Sequence, residues 1–104
     1  MKAIANYYDD GQINIVYVAH KVRRGQKAGP LNVGEVKDWV GYPATKSLHI
    51  HNITNESFEE ALGLIRFTKS LYSLPIFCYY NKEISEGSRL LLEALSTKTI
   101  LTGV

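Results

Sequence analysis

The chain has 104 residues, of which 45% are hydrophobic and 21% are charged, and its net charge is +2 at pH 7. These values are typical of one globular domain, which we assign to residues 1–104, and they exclude a disordered chain. A charge of +2 is too small to indicate a nucleic-acid-binding protein by itself. No apolar stretch reaches the roughly 20 residues of a bilayer span, and we find no signal peptide before the first strand. We therefore expect a cytoplasmic protein without membrane contact.

The first part of the chain predicts a β-hairpin followed by a short helix. Two predicted strands, 2–8 and 12–19, flank an Asp10-Gly11 pair, which is a strong hairpin signal. The second run is mostly apolar, which is typical of a strand covered on both faces. A helix predicted over residues 32–40 begins at a capping asparagine.

The second half of the chain alternates predicted strands with predicted helices. The strands cover residues 47–53, 76–80 and 99–101, and the helices cover residues 57–72 and 85–95. Ser57 and Glu60 fit a capping box at the start of the first of these helices. Alternation of this kind implies right-handed crossovers. We therefore predict an α/β fold, a Rossmann-like three-layer sandwich, with a mostly parallel central sheet and an N-terminal β-hairpin.

Ligands of open α/β sheets bind beyond the carboxyl ends of the strands. In the predicted sheet this edge collects the loops that follow Ala19, Ile53 and Tyr80. The first of these loops carries the basic residues of the segment 21–27, which forms either a solvated loop or an anion site. The edge is therefore the predicted location of a binding pocket.

The turn Ser85-Glu86-Gly87-Ser88-Arg89 follows a predicted buried strand and begins the last predicted helix. A helix start presents free backbone N–H groups and the positive end of its dipole, which suits a phosphate or a ribose-linked anion. Gly87 permits close approach of the backbone, Ser88 adds a hydroxyl donor, and Arg89 can make a bidentate contact. The alternative interpretation is an ordinary helix cap with a surface arginine.

His49 and His51 lie on the same face of a predicted strand, because side chains in a strand repeat every two residues. Two imidazoles can hold a divalent metal, and with the segment 79–82 (Tyr-Tyr-Asn-Lys) they resemble the His-hydrophobic-His motif of single-strand nicking endonucleases. However, those tyrosines fall at a strand end and not on a helix, and no third ligand is evident. An ordinary strand face is therefore the preferred interpretation, and no metal site is predicted.

Three segments, in this order, resemble the nucleoside 2-deoxyribosyltransferase-like superfamily, especially its small phage-associated members. Residues 16–25 (VYVAHKVRRG) are similar to that group's strand and loop with the pattern Y-(I or V)-A-x-P-x-R-G. The stretch 43–49 is similar to its P-x-x-P-H segment. Residues 84–89 (ISEGSR) are similar to its I-S-E-G-M-x-x-E turn. The resemblance covers residues 13–104. It implies cleavage of an N-glycosidic bond by a carboxylate that attacks the anomeric carbon.

Two departures from the family pattern affect its catalytic positions. The resemblance places the nucleophile one helical turn after the turn glycine, where this chain has Leu91. A leucine cannot attack an anomeric carbon, and the nearest acid, Glu93, is rotated by about 200° around a helix. A further family acid, before the penultimate strand, is replaced by Ser73-Leu74-Pro75. We therefore expect a pocket that binds without cutting and contains no catalytic residue.

The sequence thus predicts a homo-oligomeric protein that binds or sequesters a nucleotide-derived small molecule. A viral sponge for a nucleotide immune signal (anti-defence) would act in this way. We expect the protein to use no cofactor and to have no nucleic acid as a partner. The predicted ligand-binding residues are Ala19, His20, Arg23, Arg24, Gly25, His49, Tyr80, Asn81, Ser85, Glu86, Gly87, Ser88 and Arg89. Three alternatives remain: an active N-glycosidic-bond-cleaving hydrolase or transferase that uses Glu86 or Glu93, the metal-dependent nuclease, and a protein-binding inhibitor that uses the fold as a scaffold.

Overall fold

The computed structural model describes residues 2–18, 28–96 and 98–102. The strands in these ranges are β1 (Lys2–Tyr7), β2 (Gln12–Val18), β3 (Gly29–Pro30), β4 (Ser47–Ile53), β5 (Ile76–Asn81) and β6 (Lys98–Thr102). The helices are α1 (Val33–Val40), α2 (Phe58–Leu71) and α3 (Glu86–Leu95). No helix in this part of the chain is long and apolar enough to cross a membrane.

The strands form one mixed sheet in the order β3-β1-β2-β4-β5-β6. β1 is antiparallel to both of its neighbours, β2 and β3. In contrast, β2, β4, β5 and β6 each run parallel to the next strand in the sheet. The sheet therefore combines an antiparallel N-terminal part with a parallel part whose order in space follows the chain.

The three described helices lie on one face of this sheet. In β2, Ile13, Ile15 and Tyr17 are at most 1% exposed, whereas Asn14 is half-buried and Val16 is exposed. The alternation continues in β4 and β5, and α2 contacts both of the other helices. The cause is the strand order: each right-handed crossover moves the chain one strand further in the same direction, so each helix falls on the same side.

The predicted Rossmann-like three-layer sandwich with a mostly parallel central sheet is therefore wrong. The described chain has two layers, a mixed sheet and a single layer of helices. Helices on both faces require the strand order to reverse, and β2, β4, β5 and β6 succeed one another without a reversal. The apolar character of β2 comes partly from Val16 and Val18, which lie on the face that the helices leave uncovered. The expectation that β2 is covered on both faces is therefore wrong as well.

The structure confirms the predicted N-cap of α1 but not the predicted capping box of α2. Asn32 caps α1 as predicted, since its Oδ1 accepts the N–H of Glu35 at 3.0 Å. The capping box at α2 is wrong, because the side chain of Ser57 makes no capping hydrogen bond to the helix. The Ser57 Oγ instead accepts the N–H of Thr54 at 3.0 Å, which leaves Glu60 available for a contact elsewhere.

Gly11 forms the turn of the β1–β2 hairpin with a φ of +87°, in the region that favours glycine. Its N–H donates to the carbonyl oxygen of Tyr8 at 2.9 Å, and its own carbonyl accepts the N–H of Lys46 at 2.8 Å. The turn is therefore tied to the start of β4. A Cβ atom at this position would collide with the carbonyl oxygen of Ala44.

We expect Gly11→Ala to lower the free energy of unfolding by about 2 kcal/mol or more, because it combines backbone strain with a backbone collision. Urea unfolding measures the change. The control is Gly63→Ala on an exposed part of α2, where an added Cβ meets nothing within 4 Å and should stabilise the helix by about 0.5–1 kcal/mol. Equal stability of the Gly11→Ala variant and the wild type would contradict this account of the turn.

Candidate functional site

Asparagine side chains join the carboxyl ends of three parallel strands. The Nδ2 of Asn52, in β4, donates to the carbonyl oxygen of Tyr17, in β2, at 2.8 Å. The Nδ2 of Asn81, at the end of β5, donates to the Oδ1 of Asn52 at 3.0 Å. We call Asn52, Asn55 and Asn81 the asparagine edge. The side chains of Asn52 and Asn81 are fixed to each other and to the sheet, and Asn55 bonds to the turn before α3, so the three form a preorganised set of polar groups.

Asn52 reaches this position through a local irregularity of β4. The register with β5 shifts between Ile50 and Ile53, and Asn52 has a φ of +56°. Asparagine tolerates this left-handed conformation better than most residues do. The extra residue lets Ile53 enter the core at 0% exposure, while the amide of Asn52 is directed to the neighbouring strands.

The same asparagines position the start of α3. The Oδ1 of Asn81 accepts the N–H of Glu83 at 2.9 Å, and the Oδ1 of Asn55 accepts the N–H of Ser85 at 2.8 Å. Ser85 is the N-cap of α3, and its Oγ accepts the N–H of Ser88 at 3.4 Å. The backbone N–H groups of the first helical turn therefore point out of the helix at the asparagine edge.

Arg89 is not directed to the helix start. Its Nη1 donates to the Oε1 of Glu93 at 2.7 Å, one turn further along α3. A bidentate contact from Arg89 to a ligand at the asparagine edge would require this ion pair to open. Leu91, at the position where the resemblance places a nucleophile, is 41% exposed and lies on a different side of α3 from the buried Leu92.

A carboxylate at this edge was not expected from the sequence, which predicts only a capping role for Glu60. Its Oε1 instead accepts the hydroxyl proton of Tyr17 at 2.9 Å. Tyr17 is 1% exposed. Its burial, and then the hydrogen bond and charge of Glu60, raise the Tyr17 pKa far above its ordinary value, so the hydroxyl remains a donor. The signal available in the sequence was a tyrosine on the core-facing side of a strand, because a buried tyrosine hydroxyl requires a partner.

The other predicted site residues are dispersed. Asn81 belongs to the asparagine edge, but Tyr80 is 0% exposed and forms part of the core. Glu86 is exposed in the first turn of α3, beside Gly87. His49 lies on the face of the sheet opposite to the helices, near the amino end of β4. The structure therefore brings Asn81, Ser85, Glu86, Gly87 and Ser88 together and separates them from Tyr80 and His49.

The predicted basic loop lies outside the described residues, and with it Ala19, His20, Arg23, Arg24 and Gly25. The described residues on either side of this segment are close in the sheet. Val18 pairs with Lys2, and Gly29 pairs with Ala3. The chain therefore leaves and re-enters the described structure at the same end of β1, which is also the carboxyl end of β2.

On the face without helices, four rings form two stacked pairs, which we call the aromatic array. His49 stacks on Phe77 with 4.6 Å between ring centroids, and His51 stacks on Tyr79 with 4.4 Å. Each pair joins β4 to β5, so each histidine ring has one face covered by a ring of the neighbouring strand.

Both histidines form hydrogen bonds within this face through ring nitrogens. Nε2 of His51 is 2.8 Å from the Oδ1 of Asn14. Nε2 of His49 is 3.1 Å from the Oγ of Ser47, and its Nδ1 is 3.2 Å from the hydroxyl of Tyr79. No group of three or more metal-ligating side chains occurs in the described ranges. This arrangement favours an ordinary strand face over a metal-dependent nuclease.

The search for similar proteins found no matching family model, no matching curated protein and no matching solved structure. The resemblance to the nucleoside 2-deoxyribosyltransferase-like superfamily therefore stays a prediction from the sequence.

We expect the free energy of unfolding to depend on pH through the two histidines of the aromatic array. Burial lowers the pKa of both histidines below the ordinary value of 6.5. The neighbouring His49 lowers the pKa of His51 further. At His49, the charge of Asp10 partly opposes the lowering of the pKa by burial. The unfolded chain therefore binds more protons as the pH falls through 6.5, so the free energy of unfolding should decrease there. His51→Phe keeps a ring against Tyr79 and removes one of the titrating groups. Urea unfolding between about pH 7 and 5 should show a smaller loss for this variant, and equal losses would contradict the assignment to His51.

Proposed function

We propose that the protein binds a nucleotide-derived small molecule at the asparagine edge and holds it without cleaving it. The observation that supports this proposal most is the convergence of Asn52, Asn81 and the N-terminus of α3 at the carboxyl ends of β4 and β5. Amide groups offer both donors and acceptors to a base or a ribose. A helix N-terminus favours a phosphate through its free N–H groups and its dipole.

The asparagine edge keeps hydrogen-bonding capacity for a ligand. Each asparagine side chain has two N–H donors and an oxygen with two lone pairs. Asn52 and Asn81 each use one donor and one acceptor position in the network between the strands and the α3 turn. The remaining positions belong to groups whose orientation is already set, so little conformational entropy is lost when they bind.

The same region supports binding more than turnover. Glu93 is engaged by Arg89, and Leu91 occupies the position of the expected nucleophile. A protein of this kind would act by sequestration, and in a virus-infected cell it would lower the free concentration of a nucleotide immune signal in the cytoplasm. This proposal keeps the predicted residues Asn81, Ser85, Glu86, Gly87 and Ser88 as the ligand contacts in the described chain.

Gly87→Ala tests the location of the site. An added Cβ at Gly87 meets nothing within 4 Å, so the folded protein accommodates it, whereas a phosphate close to the backbone would collide with it. Titration calorimetry against nucleotides, cyclic dinucleotides and ADP-ribose derivatives should identify a ligand of the wild type. We expect Gly87→Ala to weaken that affinity at least about tenfold, which corresponds to about 1.4 kcal/mol.

Gly63→Ala is the matched control, because it adds the same methyl group to a helix at a place with equally open space. Its affinity for the ligand should equal that of the wild type. Unfolding curves establish that both variants are folded. No binding by the wild type across the whole panel would refute the proposed function, and binding that Gly87→Ala leaves unchanged would refute the proposed location.

The contact between Tyr17 and Glu60 favours a second candidate function, cleavage of an N-glycosidic bond. Glu60 lies in the first turn of α2, its carboxylate is oriented by a hydroxyl that stays protonated, and β2 and β4 are joined next to it by Asn52. A carboxylate held in this way can attack an anomeric carbon and form a glycosyl ester, with the base as the leaving group. Of the acids considered from the sequence, Glu93 is occupied by its ion pair with Arg89, and Glu86 is exposed in the first turn of α3.

Product analysis separates this candidate from simple binding. If the protein is an enzyme, incubation of the wild type with nucleosides and nucleotides releases free base, and Glu60→Gln should reduce the rate by at least about 100-fold. Glu93→Ala serves as the control, because it keeps Glu60, and it should retain activity. Absence of released base with the wild type would exclude the enzyme, and equal rates in the wild type and Glu60→Gln would exclude this nucleophile.

A further inference from the structure

The face of the sheet opposite to the helices is not covered by any element of the described chain. We call it the open face; it is the side of β1, β2, β4 and β5 on which the aromatic array lies. Ile4, Val16 and Val18 extend this face beyond the aromatic array. Val16 is 37% exposed, whereas its neighbour Ile15, on the helix side, is 0% exposed. Since parallel sheets are usually covered on both faces, the open face is a candidate interface.

The charge of the open face restricts what can bind there. On β1, β2, β4 and β5 its described side chains are apolar, aromatic or neutral polar groups, apart from Lys2 at the start of β1. His49 and His51 are neutral at pH 7, because burial lowers the pKa of both below the ordinary value of 6.5. A nucleic acid or an anionic membrane requires a cluster of cations. A surface with few charges and several aromatic rings is instead typical of the core of a protein–protein interface.

The size of the sheet distinguishes between protein partners. Its five long strands, β1, β2, β4, β5 and β6, span about 24 Å and cover roughly 500 Å² at the usual spacings of a sheet. A single partner helix is about 10 Å wide and covers less than half of this width. A second sheet of the same size covers all of it. Two such faces together bury about 1,000 Å² or more, which reaches the lower limit of specific interfaces.

We propose that two copies of the chain pack face to face through their open faces, as a two-fold dimer with the helices on the outside. A two-fold interface must be complementary to itself, and a face with so little charge does not repel its copy. The middle of the described strand order lies between β2 and β4, where Val16 and His51 are paired across the two strands. These two side chains therefore lie near the centre of the interface. The asparagine edge lies at the rim, so the dimer does not depend on the proposed function.

The experiment is sedimentation velocity over a range of protein concentrations. The wild type should be a dimer, and Val16→Arg should raise the dimer dissociation constant at least about tenfold, because it places two like charges near the centre of the interface. Leu90→Arg is the matched control: Leu90 is 51% exposed on α3, on the helix side of the molecule, and this variant should dimerise as the wild type does. Asn6→Arg changes an exposed polar residue of the open face and provides a second interface variant. Circular dichroism establishes that each variant is folded.

Small-angle X-ray scattering then distinguishes a face-to-face dimer from an edge-to-edge dimer. One copy is a plate with Cα extents of 35 × 34 × 20 Å. Two plates stacked with their sheets about 10 Å apart form a compact particle, whereas two plates joined through strand edges form one about twice as long as a single copy. We expect the compact particle.

A wild type that is monomeric at every concentration would overturn the proposal. Dimers that both Val16→Arg and Asn6→Arg leave unchanged, or that Leu90→Arg dissociates as strongly as Val16→Arg does, would place the interface elsewhere. An elongated dimer in the scattering experiment would refute packing through the open faces.

Discussion

The constraint on which the rest of the structure depends is the order of the parallel strands. β2, β4, β5 and β6 follow one another across the sheet as they do along the chain, and crossovers of one hand then place every connecting helix on one face. One side of the sheet becomes the core. The other side retains a surface of half-buried side chains, in which His49 and His51 complete their contacts with rings and polar groups of neighbouring strands.

The same order brings the carboxyl ends of β2, β4 and β5 to one edge together with the starts of α2 and α3. Such an edge leaves backbone and side-chain polar groups that must find partners. Asn52 and Asn81 meet this need by bonding to each other, to β2 and to the turn before α3, and Asn55 bonds to the same turn. Their rigidity is therefore a consequence of closing the edge of the sheet, and it is also what makes the edge suitable for a polar ligand. The Tyr17 and Glu60 contact adds a carboxylate whose position is set by the core.

Helix α3 connects the core to the asparagine edge. Only Leu92 of its side chains is fully buried, so the helix is held mainly by this leucine, by its cap at Ser85 and by its neighbours α2 and β5. Its N-terminus contributes to the asparagine edge, where Gly87 leaves the backbone open.

The sequence by itself determined the features that depend on neighbours along the chain: the hairpin at Gly11, the alternation of strands and helices, and the caps at Asn32 and Ser85, because turn conformation, periodicity and capping involve residues a few positions apart. It also indicated Asn81 and the turn before α3 as parts of a candidate site, since a buried strand that leads into a helix start is a local pattern.

Only the tertiary structure decided that the helices lie on one face, because strand order arises from contacts between distant segments and an apolar strand does not reveal which of its faces is covered. The capping box at α2 failed because the Ser57 Oγ accepts the N–H of Thr54, while Glu60 is bound by Tyr17, a residue 43 positions away in the chain that only the folded sheet brings next to α2.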